Sequence, residues 1–182
     1  MGDSLSHHDL SLVALSIAIA VVTSYGALDV AGRVTAAVGR ARVAWLAGGA
    51  AAMGTGIWSM HYLGVAALML PTPAVYDLPT ALLSWLAAMA ASAVALWVVS
   101  RREMRMAQAI GGSVVMGLGI AVMHYAALAS MRLSVKTPYY PVVVTASVAL
   151  AIAVSFVALW CSFQLRDSAA SSGCWKKLWW AL

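Results

Sequence analysis

Two histidines within long apolar segments are the side chains of this sequence best suited to chemistry. His61 and His124 lie in related fifteen-residue stretches, GGAAAMGTGIWSMHY at 48–62 and GGSVVMGLGIAVMHY at 111–125, which are identical at nine positions. A histidine in so apolar a segment needs a partner, a ligand or a wet cavity. Two histidines in equivalent places therefore predict that their side chains face each other or share a ligand.

Each histidine belongs to a Met-His-Tyr triplet. Imidazole and thioether are soft to borderline ligands, which suit copper better than magnesium or calcium. Consecutive helical residues stand about 100° apart, so methionine and histidine straddle one seam while tyrosine points about 200° from the methionine. We therefore expect methionine and histidine to bind copper, with tyrosine as a hydrogen-bond donor behind them or in another contact. The candidate site residues are Met60, His61, Tyr62, Met123, His124 and Tyr125.

Two other interpretations of the histidine pair stay open at this point. Histidines from two helices at one depth are also the axial ligands of a b-type haem. Alternatively, each histidine is a hydrogen-bonded structural residue without any ligand. A methionine beside each histidine favours copper over haem.

The composition predicts a membrane protein. Of 182 residues, 63% are hydrophobic and only 9% are charged, which is more apolar surface than a soluble domain of this length buries. The apolar residues form five blocks, each long enough to cross a bilayer core of about 30 Å as a helix. We expect an all-α, polytopic transmembrane helix bundle with spans at Leu10–Gly32, Val43–Leu70, Leu78–Ser100, Ala107–Met131 and Val142–Leu165.

Basic residues orient the predicted spans. Nine of the eleven lysines and arginines follow spans one, three and five, and only Arg132 and Lys136 lie in the opposite loops. Because basic loops stay in the cytoplasm, this bias places the N-terminus outside. We therefore expect a multi-pass membrane protein with its histidines in the extracytoplasmic half. The net charge of +5 follows from this topology, and we expect no nucleic-acid partner.

The spans form a repeated two-helix hairpin. Spans one, three and five share a spacing of small and polar residues, with serines at Ser16, Ser24, Ser84, Ser92, Ser147 and Ser155. After an external N-terminus at 1–9, the predicted units are 10–76, 77–141 and an incomplete 142–182. Two spans return the chain to the same side, so the units are parallel repeats about an axis normal to the membrane. Lys177–Leu182 is interpreted as the start of a sixth helix, before which a basic loop follows span five.

The sequence resembles the MHYT family of bacterial integral-membrane sensor domains. The likeness lies in SMHYLGVAAL at 59–68, VMHYAALASM at 122–131, the preceding GGxxxMGxGI segments and ALSIAIAVVTSYGALDVAGRV at 14–34. It implies six or seven helices, with the Met-His-Tyr residues binding copper near the outer face and sensing O2, CO or NO. It also implies a cytoplasmic signalling module, in cis or in trans, such as one that makes or degrades cyclic-di-GMP, or a histidine kinase.

The sequence departs from that family's pattern at two points of the site. Where the family often has a methionine four residues after the histidine, this chain has Val65 and Leu128. The family's third Met-His-Tyr is also absent from these 182 residues.

A sensor that binds copper is the function we expect, and a haem-binding protein or a metal or small-solute transporter are the alternatives. An enzyme is not expected, because the sequence has neither a nucleophile–base pair nor a carboxylate pair. Its glycine-rich segments lie within apolar spans, where small residues allow helices to pack closely, so they are not phosphate-binding loops.

Overall fold

The described part of the chain folds into five helices and one short pair of strands. The computed structural model describes residues 9–67, 75–101, 105–132 and 140–179, with side chains described up to residue 162 and at 164. The helices are α1 (Leu10–Ala36), α2 (Gly39–Ala66), α3 (Leu78–Val99), α4 (Met106–Ser130) and α5 (Pro141–Trp179). The strands are β1 (Val75–Tyr76) and β2 (Met131–Arg132), which pair antiparallel. The predicted all-α fold is therefore confirmed, although the strand pair was not predicted.

Four of the helices are long and apolar enough to cross a membrane, namely α1, α3, α4 and the Pro141–Ser162 part of α5. The interior between the helices holds mainly small side chains such as Ala88 and Ser84, whereas Val21, Leu86 and Val154 are exposed on the outside. A bundle that turns its large aliphatic side chains outward is suited to lipid, and the chain is a membrane protein. Helix α2 is diluted by glycine, serine, threonine and aromatic residues, so a fifth span stays a prediction.

The predicted end of span five is wrong, and several other predicted segments lie outside the described residues. The sequence predicts a loop after Leu165 and a new helix from Lys177, but α5 continues without a break to Trp179. Residues 166–172, RDSAASS, contain no proline and no glycine, so nothing in them stops a helix that is already formed. Residues 1–8 of the predicted external segment 1–9, residues 71–74 and 133–139 of the two predicted outer loops, and residues 180–182 lie outside the described residues.

Consecutive helices pack against each other, so that α2 lies between α1 and α3, and α4 lies between α3 and α5. Helix α3 is consequently the most buried of the four apolar helices. Glycines allow the close approach: a Cβ on Gly54 would lie 2.5 Å from Cα of Met89, and one on Gly117 would lie 2.6 Å from Cα of Ile152. Both members of the second pair follow those of the first by 63 residues, so the same packing occurs twice.

Aspartates cap the starts of α1 and α3, and their backbone N–H groups bond to the end of the helix that follows. The Asp9 carboxylate accepts hydrogen bonds from the Ser11 hydroxyl and from the backbone N–H groups of Ser11 and Leu12. The bond from the Ser11 hydroxyl, followed by those from the backbone, holds the pKa of Asp9 below its usual range. The backbone N–H of Asp9 donates to the Ala67 carbonyl over 3.0 Å. Each helix start is thereby tied to the end of its hairpin partner.

The second hairpin repeats this arrangement. The Asp77 carboxylate accepts from Thr80, and the backbone N–H of Asp77 donates to the Ser130 carbonyl over 2.7 Å. We call the end of the bundle that contains Asp9, Ala67, Asp77 and Ser130 the capped end. The opposite end, called the arginine end, contains Arg33, which pairs with Asp29 over 2.7 Å, and Arg101, which lies 3.9 Å from the centre of the Trp97 ring.

The Asp77 cap gives a first testable prediction. Replacing Asp77 with alanine removes the bonds to Thr80 and is expected to lower stability by about 1 kcal/mol, whereas Asp77→Asn retains a good cap. Thermal unfolding in detergent measures the difference. As a control, Asp29→Ala removes only an exposed ion pair and should leave the unfolding midpoint nearly unchanged. Equal midpoints for Asp77→Ala and Asp77→Asn would contradict this account of the cap.

Candidate functional site

The two histidines meet near the capped end of the bundle. His61 lies five residues before the end of α2 and His124 six residues before the end of α4, so both are about 8–9 Å from their helix ends. Their ring centroids are 5.0 Å apart, and the ring planes make an angle of 71°. The structure therefore brings together the two side chains that the repeat singles out, one from each hairpin.

The His61 ring has a buried nitrogen that no neighbour satisfies. Among the described residues, Nε2 of His61 has no hydrogen-bond partner. The space between this ring, Tyr62 and the end of α4 is too small for a water molecule. A buried imidazole nitrogen without a partner is unfavourable, and a metal ion bound there would remove the penalty.

The spacing of the rings fits one shared ion. Metal–nitrogen bonds of about 2.0 Å at a tetrahedral angle place two imidazole rings about 5 Å apart, close to the observed distance. Among the described residues, no group of three or more His, Cys, Asp and Glu side chains is positioned to hold a metal. Within the described part of the chain, the methionines and tyrosines of the two triplets are thus the candidates for a further ligand, and a thioether would favour copper among the common metals.

The two triplet methionines differ in their surroundings. Met123 is buried, with 3% of its surface exposed. Met60 is only partly buried, and its side chain lines a cavity on the side of α1 and α5. The Met60 carbonyl also accepts a hydrogen bond from the Ser16 hydroxyl over 2.8 Å, which ties α1 to α2 one residue before His61. Ligation by Met60 and Met123 stays a prediction.

The triplet tyrosines form hydrogen bonds between helices. The hydroxyl of Tyr125 bonds to that of Ser147 in α5 over 2.5 Å, and the hydroxyl of Tyr62 bonds to that of Ser130 in α4 over 3.0 Å. By repeat spacing the partner of Tyr62 would be Ser84, which is fully buried with its hydroxyl unpaired among the described residues. Tyr62 thus crosses to the second hairpin instead of bonding to the helix that the repeat predicts.

Two aromatic rings lie close to the ring of Tyr62. Its ring centroid lies 4.5 Å from that of Trp58 and 5.5 Å from that of Tyr76 in β1. The sequence analysis missed these neighbours. Trp58 has no counterpart in the second repeat, where Ala121 stands, so repetition gives no signal for it. The serine at Ser147 was visible as a repeated position, but only the structure shows that it accepts or donates a hydrogen bond.

The Tyr62 hydrogen bond gives a second prediction. Tyr62→Phe retains the ring contacts but removes the bond to Ser130, so we expect stability to fall by about 1 kcal/mol. Thermal unfolding in detergent measures this loss. Tyr25→Phe is a matched control, because Tyr25 is 79% exposed on α1 and should be insensitive to the change. A similar midpoint for both variants would show that the Tyr62 bond contributes nothing.

Comparison with known proteins agrees with the repeat. The family described as "Bacterial signalling protein N terminal repeat", MHYT, matches residues 54–112 and 117–173, two segments that start 63 residues apart. No solved structure matches the chain.

Three relatives are signalling proteins. The chain is 46% identical over 162 residues to the bifunctional diguanylate cyclase/cyclic di-GMP phosphodiesterase MucR of Pseudomonas aeruginosa, covering 89% of this chain and 24% of the relative. It is 37% identical to the signaling protein YkoW of Bacillus subtilis, covering 87% of this chain and 20% of the relative. It is 39% identical to the cyclic di-GMP phosphodiesterase NbdA of Pseudomonas aeruginosa, covering 82% and 19%.

The chain spans about a fifth to a quarter of the length of these relatives, so what they share with it is the membrane-embedded repeat and not the whole protein. The family match covers more than half of the chain and includes both histidines. The resemblance seen in the two Met-His-Tyr segments is thereby confirmed, and the chain belongs to the MHYT family of sensor domains in bacterial signalling proteins.

Proposed function

We propose that this chain is a membrane sensor module that holds one copper ion between His61 and His124 and responds to a diatomic gas or to redox state. The observation that carries the proposal is the pair of imidazoles, 5.0 Å apart, one of which has a buried and unsatisfied nitrogen. Met60 and Met123, which precede the histidines, are the candidate thioether ligands.

The same distance favours a single ion over a haem. Two imidazoles bound on opposite sides of one iron, each by a bond of about 2.0 Å, have ring centroids more than about 6 Å apart. The rings of His61 and His124 are closer than this and steeply inclined to each other. A b-type haem would require the two hairpins to separate, whereas a single ion requires no such movement.

The side chains of the site have separate roles in this proposal. The two histidines hold the ion, and the methionines supply sulfur that stabilises the reduced state. The tyrosine hydroxyls are occupied by serines of other helices, so they fix the positions of α2 and α4 and do not serve as ligands. When bound, reduced copper supplies a coordination position for O2, CO or NO.

The partners follow from the relatives and the charge pattern. MucR and NbdA are named for enzymes of cyclic di-GMP metabolism, so we infer that this module controls such an enzyme in the same chain or in another one. The chain itself has no enzymatic role in this proposal. The arginine end then faces the cytoplasm of a bacterium, and the histidines lie near the outer face of the inner membrane.

Anaerobic titration of the detergent-purified protein with copper(I), against a competing chelator, tests the proposal. We expect about one tightly bound ion per chain, and an infrared band for CO bound to it, because soft ligands select copper(I). Incubation with haem, followed by absorption spectroscopy, tests the alternative cofactor. Absence of bound copper, or a haem spectrum that disappears when the histidines are replaced, would reject the copper proposal.

A further inference from the structure

A second feature of the bundle, separate from the histidine pair, is a cavity of about 430 Å³. All five helices contribute to its wall, which contains the alanines Ala20, Ala27, Ala31, Ala95 and Ala158. Among the residues that the structure describes, no charged side chain lines it. A cavity of this size is within the range that holds small molecules.

The cavity is open toward the side of the bundle. Helices α1 and α5 touch each other only sparsely, whereas every consecutive pair of helices packs closely. Wall residues from both of these helices, such as Leu28 and Ala158, are exposed on the outer surface. Because this surface faces lipid in a membrane protein, the mouth of the cavity opens into the bilayer.

Three methionines contribute to the wall of the cavity. They are Met53 and Met60 of α2 and Met116 of α4. Met60 is the residue directly before His61, so the cavity reaches the turn of α2 that carries this histidine. A molecule held in the cavity therefore contacts a residue next to the histidine pair.

We propose that this cavity takes up small apolar molecules of the size of a diatomic gas from the bilayer and holds them beside the histidine pair. Apolar cavities stay dry and bind small apolar molecules such as xenon. The described wall is mainly apolar, with Thr23, Ser24 and Ser162 as its hydroxyl groups, and it has no charged group that would anchor a larger polar ligand. The delivery of gas to copper rests on the function proposed above, whereas the affinity of the cavity for apolar molecules does not.

Xenon is the probe for the first experiment, with the full chain in detergent and ¹³C-methyl labels on methionine. Rising xenon pressure is expected to shift the methyl signals of Met53, Met60 and Met116. Met106, exposed at the start of α4 and outside the cavity, is the internal control. Shifts of equal size at Met106, or no shift at the three cavity methionines, would overturn the proposal.

Variants that fill the cavity sharpen this test. Ala27→Phe places a ring in the cavity from α1 and should weaken xenon binding by about tenfold, because it removes the dry volume. Ala18→Phe, on an exposed face of the same helix, should bind xenon like the wild type. If Ala27→Phe does not fold, Ala158→Phe on α5 with Val157→Phe as its control makes the same comparison. Xenon binding that survives both filling variants would place the site elsewhere.

A lipid tail is the competing occupant, and the same samples exclude or establish it. Native mass spectrometry that finds phospholipid bound to the wild type and to Ala18→Phe but not to Ala27→Phe, together with no xenon shift, would assign the cavity to an acyl chain and overturn the proposal.

The link between the cavity and the sensor needs a separate experiment. Flash photolysis of the CO complex should show slower rebinding of CO in Ala27→Phe than in the wild type, at unchanged copper content. Equal rebinding rates would overturn the route, and failure to bind copper would leave the xenon result standing.

Discussion

Replacing both His61 and His124 with alanine is expected to abolish copper binding. Their imidazoles are the only pair of borderline ligands that meet among the described residues, and the thioethers alone bind copper weakly. We expect the bound copper, measured by elemental analysis after removal of free metal, to fall from about one ion per chain to background. Each single variant should weaken binding by more than about tenfold, since loss even of a supporting partner behind a ligand has an effect of 10–100-fold.

The tyrosines provide the matched control for this experiment. Tyr62→Phe and Tyr125→Phe each change a neighbour of a histidine, but both hydroxyls bond to serines and not to the histidine rings. They should therefore retain full copper content. Undiminished copper in the double histidine variant, or complete loss in either tyrosine variant, would contradict the assignment of the ligands.

Gly54→Ala and Gly117→Ala are expected to give the largest losses of stability. In each case the added methyl group would meet the backbone of the next helix, at Met89 or Ile152, where no side-chain rotation can relieve the overlap. Forcing a methyl group into such a contact destabilises by about 1–3 kcal/mol. Thermal unfolding in detergent, monitored as loss of the soluble monomer, measures this effect separately at the α2–α3 contact and at the α4–α5 contact.

The chain offers a control for each of these glycines. Gly48 and Gly111 occupy equivalent helical positions in the two repeats, and a Cβ at either meets nothing within 4 Å. Alanine there should be neutral or slightly stabilising, because alanine favours the helix over glycine by about 1 kcal/mol. A loss at Gly48→Ala as large as that at Gly54→Ala would mean that helix propensity, and not contact between helices, determines the effect.

Local patterns predicted the positions of the helices, although α2 begins at Gly39, four residues before its predicted span. Apolar blocks between charged or proline-containing segments predicted the starts of α3 and α4 to within one residue, because lipid requires both a minimum length and a polar boundary. The 63-residue offset predicted that His61 and His124 would be equivalent, and the structure places their rings 5.0 Å apart. Where neither rule applied, as in the continuation of α5 beyond Leu165, the prediction was wrong.

Contacts that break the repeat were beyond sequence reasoning. Tyr62 and Tyr125 are equivalent in sequence, yet one bonds to α4 and the other to α5. The second hairpin packs against the first next to α2, and Ser130 at the end of α4 is therefore within reach of Tyr62. No periodic pattern encodes this difference, because it depends on how the two hairpins are docked.

Each of the first two hairpins is a closed loop: the chain joins its helices at the arginine end, and the aspartate N–H bond joins them at the capped end. Hinge motion within a hairpin is thus restricted, and a stimulus that alters the distance between the imidazoles must tilt one closed loop against the other. Over a helix of 28 residues, about 42 Å long, a tilt of about 3° displaces the far terminus by about 2 Å. Two described hydrogen bonds oppose such displacement there, from the Thr35 hydroxyl to the Ser100 carbonyl and from the Ser100 hydroxyl to the Ala31 carbonyl, and both are long, at 3.4 and 3.5 Å. In the proposed sensor, this geometry would amplify a small change at the imidazoles into a larger one at the arginines.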